Sequence, residues 1–283
     1  MDFRVIFSDN GTLIDFTNEL ANYYASEKTF DVTAAQDKFY IGSYFPFNSF
    51  YLKMGTVVNA AASVMTVKYW DGEQFRTVAE LNDQTKNTSN ITLAQSGQVF
   101  FTPHKKYAWI SEDTTNINDE EQITGLGDVK IYERYWLEIT FSGNLTATTK
   151  LAWMGSLFSN DDDLGSEYPN MLLSNVLAGF ESGKTTWEEQ HVISAAYVIK
   201  ELKKRNVILD EGQILNTKDF TLAACHKVAS IYYKRGGPGR EDEAKMAERD
   251  FSNAMDGTAV IDLNENARSD DYERRTKSNH GFR

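Results

Sequence analysis

Tyr135-Trp136-Leu137-Glu138-Ile139-Thr140-Phe141 decides how the first half of the chain folds. Successive side chains of a strand point to opposite faces, so Tyr135, Leu137, Ile139 and Phe141 predict a packed face, while Glu138 and Thr140 are expected on a wet one. Trp136 interrupts the alternation. Working outward, strands are expected over Lys38–Ile41, Ser49–Met54, Val64–Trp70, Gln98–Thr102, Tyr107–Ile110 and Lys150–Met154, each rich in aromatic or β-branched residues. Asp71-Gly72, between Val64–Trp70 and Gln74–Val78, is a hairpin signal, because Gly accepts the positive φ of a tight turn. Short strands separated by turn residues predict an antiparallel β-sandwich-like domain over 37–160. Residues 1–36 carry no pattern that assigns an element.

The polar run Phe158-Ser-Asn-Asp-Asp-Asp-Leu-Gly165 ends this regime and is expected to be a solvated linker. From Tyr168 the period becomes helical, and a small α-helical domain is expected over 166–263. One helix is expected over Met171–Phe180. Thr186-Trp-Glu-Glu189 has the form of a capping box, and the helix it opens carries Val192, Ala195, Ala196, Ile199 and Leu202 as an apolar stripe. Ile193 and Tyr197 extend that stripe onto a flank. Lys203, Lys204 and Arg205 favour the carbonyl end. A second helix is expected over Asp219–Lys234, with Leu222, Cys225, Ala229 and Tyr232 or Tyr233 inward, stopped by Gly236-Gly237-Pro238-Gly239. A third begins near Glu241 and buries Ala244, Ala247, Phe251 and Met255. Residues 264–283 have few apolar side chains and are expected to be an extended tail that orders on a partner. The fold class read from sequence is therefore α+β: sandwich, helical domain, tail.

The 283 residues are 41% hydrophobic and 25% charged, the balance of a chain that buries a core. Lys plus Arg total 29 against 41 for Asp plus Glu, a formal charge of −12, which disfavours tracking nucleic-acid phosphates, so no sequence-specific nucleic acid is expected. No apolar run approaches a membrane span, and Met1–Asn10 holds two acids and no apolar signal core, so neither membrane insertion nor a signal peptide is expected. A single cysteine, Cys225, makes no internal disulfide and no multi-thiolate zinc site, which fits a reducing cytoplasm.

Individual motifs carry little chemistry. Gly183-Lys184-Thr185 imitates a phosphate loop, but the first Gly of that motif should stand at Ala178, and a helix rather than a strand precedes it. Asp262-Leu-Asn264-Glu-Asn266-Ala-Arg-Ser-Asp270-Asp-Tyr-Glu273 places oxygens as a calcium loop does, yet Ala267 stands where that loop turns on Gly. Asp161-Asp162-Asp163 are sequential acids that do not converge by themselves. Cys225 and His226 point about 100° apart on a helix, so Cys225 reads as a small core residue and His226 and His191 as surface or boundary residues. Trp70, Trp109, Trp136 and Trp153 read as core, with Trp70 and Trp153 at strand ends where a sugar-stacking row would need them exposed. The sequons at Asn10, Asn87, Asn90 and Asn144 carry no weight without a secretory signal. No catalytic, cofactor-binding or metal-binding set is expected; the enzyme class left open is glycan hydrolysis by two carboxylates.

The order of parts resembles tailed-bacteriophage neck proteins: a β domain ending in Tyr135-Trp136-Leu137-Glu138-Ile139 and Leu151-Ala152-Trp153-Met154-Gly155, then Phe158-Ser-Asn-Asp-Asp-Asp-Leu164, then Trp187-Glu-Glu-Gln-His191 opening the helices. The layout from Tyr168 to Leu263 is similar to that of head-to-tail adaptor proteins. The resemblance implies a non-enzymatic virion protein of the neck, assembled in the host cytoplasm. It also implies a ring of copies, usually twelvefold, with the portal protein and the next neck or tail protein as partners and the tail inserting between portal subunits. The alternative is a virion carbohydrate-binding or collar decoration module that uses the β domain.

Overall fold

The computed structural model describes residues 3–112, 123, 125–126, 133–236, 239–263, 266–268 and 274–276. The chain is α+β, and its described residues form two large antiparallel sheets and six α-helices. It forms two compact units, residues 1–155 with 264–268, and residues 156–263 with 269–283.

The first unit contains β1 (Arg4–Asp9), β2 (Thr12–Asp15), α1 (Thr17–Ala21), β3 (Lys28–Phe30), β4 (Lys38–Ser43), β5 (Ser49–Met54), β6 (Met65–Trp70), β7 (Phe75–Thr77), β8 (Glu80–Asp83), β9 (Gly97–Thr102), β10 (Ser111–Glu112), β11 (Arg134–Phe141) and β12 (Thr149–Gly155). One sheet runs β2-β1-β4-β11-β6-β7 with β10 on β11, and the other runs β3-β12-β5-β9-β8. The core between them takes Val5, Phe7, Phe39, Val67, Leu137 and Ile139 from the first and Phe50, Leu52, Val99 and Phe101 from the second. The first 36 residues thus supply three strands and a helix. Their pattern hides because Val5-Ile6-Phe7 is buried without a break: Val5 and Phe7 enter the main core, and Ile6 joins a second cluster on the other face.

That second cluster corrects the expected wet face of β11. Trp136 packs there with Ile6, Tyr40, Trp70, Ile123 and Leu126, over Gly42, where any Cβ would come within 2.9 Å of the indole. Glu138 is buried as well. Its carboxylate accepts from Lys38 Nζ of β4 at 2.8 Å and Lys68 Nζ of β6 at 2.7 Å, a charge ladder across three adjacent strands. Burial alone would push this carboxyl up, but the two lysines outweigh it and hold it below the usual range. The Asp71-Gly72 hairpin forms, with Gly72 at φ 98° and Asp71 Oδ1 accepting from the amides of Glu73 and Gln74. No strand forms over Tyr107–Ile110. This stretch is a loop that packs Trp109 against Phe47, Phe101 and Tyr135.

The second unit contains α2 (Asp161–Glu167), α3 (Ser174–Phe180), α4 (Glu188–Lys204), α5 (Thr221–Arg235), α6 (Glu241–Ala254) and the paired strands β13 (Thr258–Val260) and β14 (Arg274–Thr276). The single helix expected over Met171–Phe180 is instead a 3-10 turn, Pro169–Leu172, followed by α3. The buried face of α4 is His191, Ser194, Ala195, Val198 and Leu202; of the expected stripe, Ala195 and Leu202 are buried while Ala196 faces solvent. In α5, Cys225 and Ala229 are buried as expected, but Leu222 is exposed, because Thr217–Phe220 forms a separate 3-10 turn and the α-helix begins later. α6 buries Ala244, Ala247 and Phe251 as expected, and Met255, buried too, caps its C-terminal end.

The tail expected over 264–283, extended until a partner orders it, is engaged within the chain where it is described. Ala267, at φ 54°, is buried in the core of the first unit, and β14 forms an antiparallel ladder with β13 in the second.

Candidate functional site

The second unit brings together a set of polar side chains that no local signal announces. Asn160 and Asp163 form a reciprocal capping box on α2, so Asp161-Asp162-Asp163 is a helix start and not a linker. From that first turn Asp161 reaches the start of α4. It accepts from Thr186 Oγ1 at 2.6 Å and from the Trp187 amide at 3.0 Å. Of the capping box expected at Thr186, the hydroxyl half is present, since Thr186 Oγ1 accepts from the Glu188 amide at 3.2 Å, and the preceding amide, that of Trp187, is met by an acid 26 residues upstream.

Asp161 Oδ1 also lies 3.2 Å from His191 Nε2, and Ser159 Oγ lies 2.7 Å from His191 Nδ1. With the proton on Nε2, His191 donates to Asp161 and accepts from Ser159. Burial alone would raise the Asp161 carboxyl, but hydrogen bonds from His191, Thr186 and the Trp187 amide hold it below the usual range. Serine, histidine and aspartate in series have the composition of a nucleophilic triad, whose serine must face a substrate. Ser159 is 5% exposed, and its hydroxyl contacts the Cys225 thiol, which burial pushes up to about 12. In this arrangement the set ties α2, α4 and α5 together and presents no nucleophile. His191, expected at the surface or boundary, is among the most buried polar residues.

The remaining motifs resolve one by one. Lys184 lies 3.6 Å from Glu189 and 3.7 Å from Glu181, beside the Phe180 and Trp187 rings, so its charge is met by acids where a phosphate loop would meet phosphate. His226 Nδ1 pairs with Tyr168 Oη at 2.7 Å, and burial lowers its pKa. Within the calcium-like stretch, Asn266 Oδ1 accepts from the Arg268 amide. Ala267 takes the left-handed turn that the calcium loop assigns to Gly, but it spends that turn on core packing. Asn264, Asp270, Asp271 and Glu273 lie outside the described residues. Among the described residues no three His, Cys, Asp or Glu side chains converge as metal ligands. Trp70, Trp109, Trp136 and Trp153 are 2%, 6%, 0% and 7% exposed, which overturns a sugar-stacking row built on them.

What the second unit does present is surface. α5 packs against α4, where Ser194 Oγ donates to the Ala224 carbonyl at 2.8 Å. On another side it packs against α6, where Glu248 receives Lys227, Ser230 and Lys234. Lys227 lies between the rings of Tyr197 and Phe251, so all three helices meet there. At the rim of this joint Tyr197 remains 45% exposed, and beside it α4 exposes Ala196 and α6 exposes Met246. No helix among the described residues is long and apolar enough to cross a membrane. Comparison with protein-family models, with curated proteins and with solved structures finds no match to this chain.

Proposed function

We propose that the chain is a non-enzymatic structural protein of a tailed-phage virion, a head-to-tail adaptor or neck-ring subunit. Its helical unit contacts neighbouring copies in a ring, twelvefold as in the adaptors it resembles, and docks to the portal protein; the next neck or tail protein binds beyond it. One observation carries this reading. The three-helix joint exposes apolar side chains on two different helices, Tyr197 on α4 and Met246 on α6, and a head-to-tail ring needs two unlike lateral surfaces on every subunit. We place portal docking on the helices, since the described parts of the C-terminal segment are already engaged by Ala267 and β14.

The test is mass measurement by light scattering on the full chain, alone and with the portal of the same genome, for wild type and Met246→Asp. The wild type is expected to reach ring mass only with portal, and Met246→Asp to remain folded but excluded. A wild-type chain indifferent to portal, or a variant that assembles as well as wild type, refutes the reading.

A further inference from the structure

The outward face of α4 is complementary to itself when turned end for end. Ala196 is the midpoint of Glu188–Lys204 and lies on the solvent side, opposite the buried stripe of Ser194, Val198 and Leu202. At 100° per residue, Glu189, Val192, Ile193, Ile199, Lys200 and Lys203 share its face, with acid at the N-terminal end and base at the C-terminal end. Two copies of α4 laid antiparallel across Ala196 set Glu189 against Lys203 twice, Ile193 against Ile199 twice, and the stem of Lys200 along Val192. The small Ala196 at the crossing permits the closest approach of the backbones.

We propose that this face pairs with the same face of a second copy, about a two-fold axis at Ala196. Charge complementarity selects that occupant: a face acidic at one end and basic at the other, at equal distances from a small residue, matches its own antiparallel image. Lys184 stands 3.6 Å from Glu189, and Asp210 stands 3.8 Å from Lys203, so the opposite helix adds a counter-charge to each beside the one it already has. Gln190 Nε2 also donates to Glu189 and stays on the same helix. One helix against one helix is a small interface, so the pair is weak and salt-sensitive. An isologous contact closes at two copies, so this state differs from a ring and does not rest on the virion reading.

The experiment is equilibrium sedimentation of the full chain at rising concentration. Wild type is expected to move from monomer toward twice that mass, several-fold more weakly at high salt. Glu189→Lys and Lys203→Glu, each alone, set like charges opposite one another and are expected to weaken pairing at least tenfold. The double variant restores the opposition and is expected to return near wild type. Ala196→Cys is expected to give a reducible disulfide-linked dimer on oxidation, since Cys225 is buried, and this variant decides the case if a charge variant misfolds. A wild type that stays monomeric, a double variant no tighter than the singles, or an Ala196→Cys chain that does not cross-link would overturn the pairing. Larger portal-dependent assemblies that ignore these charges would overturn it too, while leaving the ring reading in place.

Discussion

Removing both lysines from Glu138 should reverse the sign of that residue's own contribution to the pH dependence of stability. In the wild type, Lys38 and Lys68 hold the buried carboxyl below its ordinary range, so its share of stability is present at neutral pH and lost as pH falls through the folded pKa. Lys38→Met or Lys68→Met alone leaves one partner, and each is expected to cost about 1–2 kcal/mol, since both lysine side chains are roughly a third exposed and rehydrate easily. The double variant strands a carboxylate that is 4% exposed, for which about 3–5 kcal/mol is expected, toward and above the upper end of the summed single values. Burial then acts unopposed and raises the carboxyl above its unfolded value. Its penalty is relieved as pH falls and grows as pH rises through that raised pKa. Urea unfolding followed by circular dichroism at pH 4 and pH 7 tests this, since the wild-type contribution fades only below the ordinary carboxyl range. Relative to the wild type, the double variant should be better off at pH 4 than at pH 7. Additive losses with the wild-type slope would show that Glu138 is not held by this ladder.

Three further outcomes are expected. Leu202→Asp puts an unpaired charge into the buried stripe of α4 and should cost about 4 kcal/mol; a variant that melts with the wild type by calorimetry would refute that packing. Cys225, with its thiol near 12, should resist iodoacetamide at pH 8 until urea unfolds the chain, and rapid labelling of the native protein would contradict its burial. Truncation after Leu263 should lower the stability of the first unit by about 1–2 kcal/mol, because it removes the buried Ala267; unchanged urea unfolding of that unit would show that Ala267 contributes nothing.

What could be read from sequence was whatever is decided within a few residues. Alternation located β5, β6, β9, β11 and β12, the Asp71-Gly72 turn located a hairpin, and helical spacing located α4, α5 and α6. Everything decided at long range was missed. Glu138 looks solvent-facing until Lys38 and Lys68, 100 and 70 residues away, are laid beside it. Nothing near Thr186 announces that Asp161 joins it at the start of α4, and His191 looks like a surface residue until Ser159 and Asp161 enclose it. Val5-Ile6-Phe7 gave no period because a strand covered on both faces has none. Faces toward solvent are also hard to place: the spacing of Val192, Ala195, Ala196, Ile199 and Leu202 predicts Ala196 inside, whereas the buried side of α4 is centred one residue earlier.

The chain leaves the sheet unit at Gly155, returns to it for residues 264–268, and then goes back to the helices for β14. For inheritance this is a lock. A single recombination breakpoint near Gly155 would deliver a foreign sheet pair with no mate for the alanine encoded after the helices, and would leave that alanine with no pocket to enter. The two units are therefore expected to travel through genomes as one cassette, with exchange confined to events that replace both stretches together.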